Sequence, residues 1–139
     1  MAVRVRLKIS REGRSLEVIA LVNSGYEADS PQLMIPLQIA RELGLWPPSQ
    51  GSIERVFETA GGPLRVWVIR GAARVKIVCG DTESKEVLTD IVISLLADEP
   101  LISDMLAGAL EIAVEDFAEG LWRFRWEEKE RLRRSERRI

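Results

Sequence analysis

Residues 3–9, Val-Arg-Val-Arg-Leu-Lys-Ile, alternate apolar and charged side chains without a break. A period of two places the apolar set on one face of an extended strand, whereas a helix would scatter it around the axis. A strand with one apolar face needs partners to cover it, and the chain supplies them at short intervals. Arg11-Glu12-Gly13-Arg14 reads as a turn and Ser15–Val22 as the returning strand of a hairpin. Leu33–Ile35, Ile53–Thr59, Leu64–Arg70, Ala73–Cys79 and Val87–Leu95 are further strand-like runs. Shorter ones follow at Pro100–Ile102, Ile112–Val114 and Leu121–Trp126. Ala60-Gly61-Gly62-Pro63 makes a hairpin tip, Asp81–Glu86 a polar turn and Trp46–Gly51 a loop. Only two segments read as helical. Pro36 stands at a first helical position, with Ile39, Ala40 and Leu43 on one face and Gly44 as the stop. Asp104–Leu110 offers one or two turns capped by Ser103 or Asp104. About nine short strands with two short helices predict an all-β barrel or sandwich.

The 139 residues suit one domain with one sizeable core, predicted over residues 1–126, with a charged tail at 127–139. A net charge of −2 gives no global attraction to nucleic acid or an anionic membrane, and no apolar run approaches the roughly 20 residues of a membrane span. The expectation is a soluble, cytoplasmic protein. The chain contains no histidine, which removes Ser-His-Asp and Cys-His catalysis and any histidine metal site. No metal and no cofactor is expected. The single cysteine, Cys79, lies at a strand-like position and reads as core filler rather than nucleophile. If chemistry is done here, carboxylates must move the protons. Sixteen of the 20 basic residues are arginine, and thermolabile Asn, Gln, Cys and Met are scarce, a pattern that suggests a thermophile.

The only asparagine, Asn23, ends an apolar run in Ala20-Leu21-Val22-Asn23-Ser24-Gly25. Taken alone, Asn-Ser-Gly is a turn, because Asn and Gly both tolerate left-handed backbone. A second segment, Glu99-Pro100-Leu101-Ile102-Ser103-Asp104-Met105-Leu106, is a short apolar strand running into a helix. With the Gly-tipped hairpin between them, these segments resemble the retropepsin-like (retroviral-type) aspartic peptidases over roughly residues 3–126. Ile35–Leu45 is similar to the helical insertion of cellular and prokaryotic members. The resemblance implies a closed-barrel fold with one or two short helices, assembled as a homodimer. Asn23, Ser24 and Gly25 would then stand at the catalytic loop, with Ser24 bracing it across the dimer axis. Glu27 and Asp29 would contact the substrate backbone or an arginine, and Ala60, Gly61 and Gly62 would form a flap over a peptide or protein substrate.

Two positions depart from that pattern: Asn23 stands where the family has its catalytic aspartate, and Ser103 where it has glycine. The family chemistry needs two facing carboxylates that share a proton, one accepting from water while the other donates to the peptide carbonyl. An asparagine amide hydrogen-bonds through both its atoms yet exchanges no proton near neutrality. The resemblance therefore implies a pseudo-peptidase, a peptide-binding homodimer with impaired or absent catalysis. An active endopeptidase is the alternative if Asn23 is an engineered substitution or deamidates to aspartate, and rescue by Glu27 or Asp29 is a lesser one. From another class, the tail Glu127–Ile139 carries six basic and four acidic residues and could be a nucleic-acid arm on an interaction module. Its Glu/Arg spacing, as in Glu130 to Arg134, favours a solvated helix or frayed end, so nucleic acid is not the expected partner. Trp67 is a candidate to line the cleft, and Trp122 and Trp126 to pack at a subunit boundary.

Overall fold

A computed structural model describes residues 2–48 and 51–138. The predicted loop Trp46–Gly51 is therefore seen only in part, with Ser49 and Gln50 outside the described residues, as are Met1 and Ile139.

Alternation at the N-terminus does what it predicts. In β1 (Arg4–Arg11), Val5, Leu7 and Ile9 are buried while Arg4, Arg6 and Lys8 between them reach the surface. The chain turns at Glu12-Gly13, both with positive φ (45° and 79°), and returns as β2 (Arg14–Val22) in full antiparallel register, Arg4↔Leu21 to Arg11↔Arg14. Two left-handed central residues match the right-handed twist of the flanking strands. Then come β3 (Gln32–Ile35), α1 (Leu37–Glu42), β4 (Ile53–Thr59), the long β5 (Gly62–Ile77), β6 (Val87–Ile93), β7 (Leu101–Ile102) and α2 (Asp104–Ala109). A small three-stranded sheet follows, β8 (Ile112–Asp116), β9 (Leu121–Phe124) and β10 (Arg133–Arg134), in the order β10-β9-β8.

Six strands close on themselves in the order β1-β2-β7-β3-β6-β5, with β5 returning to β1 through Leu7↔Ile77 to Ser10↔Arg74. Closure removes the open edges of the barrel strands. Inside lies one apolar core built from Leu7, Ile9, Leu33, Ile35, Ile77, Ile91, Ile93 and Ile102, with Leu106 of α2, Leu110 just past its end and Phe124 of β9 plugging it. β4 stays outside the ring, paired only with β5 and exposed along nearly its whole length. A second, smaller cluster of Met34, Val66, Val68 and Val92 lies on the outer face of the wall, covered by Tyr26, Phe57, Leu64, Ala97 and Leu101.

One irregularity is compensated visibly. The β5–β6 register shifts between Ile69 and Ala73, where Gly71 takes a φ of 56°. Its freed amide donates to Asp90 Oδ1 at 2.7 Å, so the bulge leaves no orphan donor there.

The tail departs from expectation. Residues 127–138 form neither a helix nor a loose end, but turn and pair as β10 with β9, Arg133↔Trp122 and Arg134↔Leu121. Beyond β10, Ser135 Oγ accepts from the Arg4 amide and the Glu136 amide donates to the Arg4 carbonyl, each at 2.8 Å. Arg133 lies over the rings of Trp122 and Phe124 and bridges Asp81 and Glu127. Glu127 and Arg131 do meet at helical spacing, at 3.2 Å, though the segment is not a helix, while Arg133 reaches back to Asp81 and Arg138 to Asp98.

Candidate functional site

β2 and β7 run parallel, Leu21↔Leu101 and Val22↔Ile102, so both strands end at the same level of the barrel. The next residues, Asn23 and Ser103, are thus brought side by side by backbone topology, and the Asn23 amide donates to the Ile102 carbonyl at 3.1 Å. The two sequence segments that resemble paired motifs are neighbours in space.

Past β2 the chain turns sharply. Asn23 Oδ1 accepts from the Gly25 amide at 3.1 Å, and the Asn23 carbonyl accepts from the Tyr26 amide at 3.0 Å. This is an Asx-turn nested in a backbone turn, the local structure that Asn before Ser-Gly favours. Asn23 is half-buried and Ser24 and Gly25 are exposed. Among the described residues, the Asn23 side-chain nitrogen, Nδ2, has no hydrogen-bond partner, so both its donors are available.

A polar scaffold holds the loop from behind. Ser103, fully buried, caps α2: its Oγ accepts from the amides of Leu106 at 3.1 Å and Gln32 at 3.0 Å. Its φ of −68° suits any residue, so the position does not require glycine. Asp104 Oδ1 accepts from the Ala28 amide at 3.0 Å, tying α2 to the loop. Tyr26 donates its hydroxyl to Gln32 Oε1 at 2.8 Å, and burial first, with nearby Asp90 second, holds its phenol protonated well beyond the ordinary range. Ser30 donates to Asp90 Oδ2 at 2.6 Å, which links the loop to the Gly71 bulge.

Opposite this loop stands the β4–β5 hairpin. Register Thr59↔Gly62 leaves a two-residue tip, Ala60-Gly61, tighter than the four-residue tip the sequence suggests. Gly62 takes a φ of 109°, and Thr59 Oγ1 donates to its carbonyl at 2.6 Å. Between loop and hairpin lies an open cleft of about 880 Å³. Asn23, Gly25, Glu27, Asp29 and Ala60 all line it, whereas Ser24, Gly61 and Gly62 do not. Its floor is apolar, from Tyr26, Met34, Phe57, Leu64, Val68 and Leu101; Arg55, Glu58 and Arg70 join Glu27 and Asp29 in a charged wall. Sequence reasoning missed this floor. The alternation in β4 and β5 marks which side chains share a face, but only the hairpin's fold back over the loop shows which face is covered.

The tryptophans fall elsewhere. Trp67 is not in the cleft lining; it packs edge-on against Trp46 at 5.2 Å, with Arg65 over its ring. Trp122 is buried in the barrel core, and Trp126 stacks on Phe124 with half its surface exposed. Cys79 is half-buried just past β5, and burial raises its thiol pKa, the setting of an inert thiol. Among the described residues, no three His, Cys, Asp or Glu side chains form a group that could hold a metal ion.

A second hollow of about 440 Å³ lies against the tail, between Arg6, Cys79, Asp81 and Arg131–Arg134. Its arginines Arg131 and Arg133 are both spent on Asp81 and Glu127. No protein-family model matches the chain, and no curated protein matches it.

Proposed function

We propose that this chain is a retropepsin-like homodimer that binds extended peptides and has impaired or absent proteolysis. The observation that carries the reading is the single cleft into which the Asn23 loop and the tip of a protruding hairpin both project. The reading is supported by a closed barrel in which the Asn23 and Ser103 segments, which carry the resemblance, follow adjacent parallel strands. The turn at half-buried Asn23 and exposed Ser24-Gly25, with the Asn23 side-chain donors unspent, supplies a surface that a second copy can meet on a two-fold axis. Facing amides can hold a peptide carbonyl or a water but cannot act as acid and base. Loss of one such group alone costs about 10²–10⁴-fold in rate.

The test compares cleavage of a mixed peptide library by the protein and by Asn23→Asp at acidic and neutral pH, with the oligomeric state of each measured by sedimentation. Cleavage by the variant dimer only is the expected result. Cleavage by neither, or a monomer at micromolar concentration, counts against the reading. An endopeptidase activated by deamidation is a second reading, since Asn23 precedes small, exposed Ser24 and Gly25. It requires a mass gain of about one dalton on warm incubation, the change of amide to acid, in step with the appearance of activity. A nucleic-acid arm has less support, because Arg131, Arg133 and Arg138 of the tail are engaged by Asp81, Glu127, Asp98 and Glu99.

A further inference from the structure

The charges around the cleft are unevenly matched. Glu27 and Asp29 stand exposed on the loop after Asn23, and Glu58 stands exposed on β4 across from them. Among the described residues none of these three carboxylates has an ion-pair partner. Of the two arginines in the wall, Arg70 is paired with Asp90 at 3.3 Å, and Arg55 has no ion-pair partner among the described residues. The wall therefore carries an excess of negative charge above an apolar floor of Met34, Val68 and Leu101 flanked by Tyr26, Phe57 and Leu64.

Resting on the peptide-binding reading, we infer that the cleft selects extended segments in which a large apolar side chain is followed closely by lysine or arginine. The apolar side chain gains by leaving water for the floor. The flexible stem of the basic residue spans the apolar margin and carries its charge to Glu27 and Asp29, which are solvated now and lose little on meeting it. An acidic segment meets those same carboxylates as like charges, and so does a phosphate backbone. Exposed pairs are individually weak, so the two carboxylates together supply about a three- to tenfold preference. Salt screens such pairs over roughly 8–10 Å at moderate ionic strength, so the preference must fade as salt is added.

The test is calorimetric titration of the full chain with three short unlabelled peptides that share a leucine or phenylalanine anchor and differ at one neighbouring position, lysine, norleucine or glutamate. Each is measured at about 0.05 M and about 0.5 M salt, on the protein and on the double variant Glu27→Gln, Asp29→Asn. The lysine peptide is expected to bind about three- to tenfold more tightly than the norleucine peptide, and the glutamate peptide most weakly. That ordering should collapse at high salt and in the double variant. Equal affinity for lysine and norleucine peptides overturns the inference and leaves the peptide cleft standing, as does a preference that persists in the double variant. Failure of all three peptides to bind overturns the peptide-binding reading and the inference with it.

Discussion

Asn23 has a structural occupation that is separable from chemistry. Its Oδ1 closes the turn on the Gly25 amide, and a carboxylate oxygen can do the same, so Asn23→Asp should fold as the parent does. Ser103 is the sharper structural test. The family resemblance puts glycine there, yet the Ser103 hydroxyl satisfies two buried amides, those of Leu106 and Gln32. Ser103→Gly and Ser103→Ala should each lower stability by about 1–3 kcal/mol in chemical denaturation, through loss of a cap and an orphaned buried donor. A neutral Ser103→Gly would show that the hydroxyl is incidental. Residue by residue, the site was partly legible. Asn-Ser-Gly announces a turn from three adjacent letters, and the cap role of Ser103 from the helix after it. Its second bond, to a residue 71 positions away, has no local signature.

At the scale of elements, β1, β2 and their turn follow from alternation and Gly13, because each depends on residues close in sequence. The tail does not. Its structure comes from Arg133 reaching Asp81, 52 residues back, and Glu127, and from Ser135 and Glu136 docking on the Arg4 backbone. The carboxyls of Asp81 and Glu127 are held below their ordinary values of 3.8 and 4.5, in both cases chiefly by the hydrogen bond from Arg133. A depressed folded pKa contributes stability that is fully present above the ordinary value and is lost as pH falls through the folded one. The strap should therefore stay docked at neutral pH and loosen only below the ordinary carboxylate range. Emission of half-exposed Trp126, stacked on Phe124 beside Glu127, should change in that acidic window before the far-ultraviolet circular dichroism of the barrel does. Arg133→Gln should remove most of that early transition. A transition centred above pH 6 would contradict the ion-pair account.

The whole molecule joins these parts through closure. Pairing of β5 with β1 completes the ring, parallel β2 and β7 bring two distant segments to one end, and β4 is left outside to reach over them. Strand content could be read from the sequence, whereas the cleft floor could not, because Met34, Phe57 and Leu101 come from three separate strands. The central claim is that the hollow between the Asn23 loop and the hairpin is where a peptide lies. Hydrogen exchange of the unmodified protein, with and without a peptide retained from the library, tests it most directly. Slowed exchange confined to the Asn23–Asp29 loop and the Arg55–Ala60 arm of the hairpin is the predicted result. Protection that appears instead around β8–β10 and the tail, with the loop and hairpin unchanged, would contradict it.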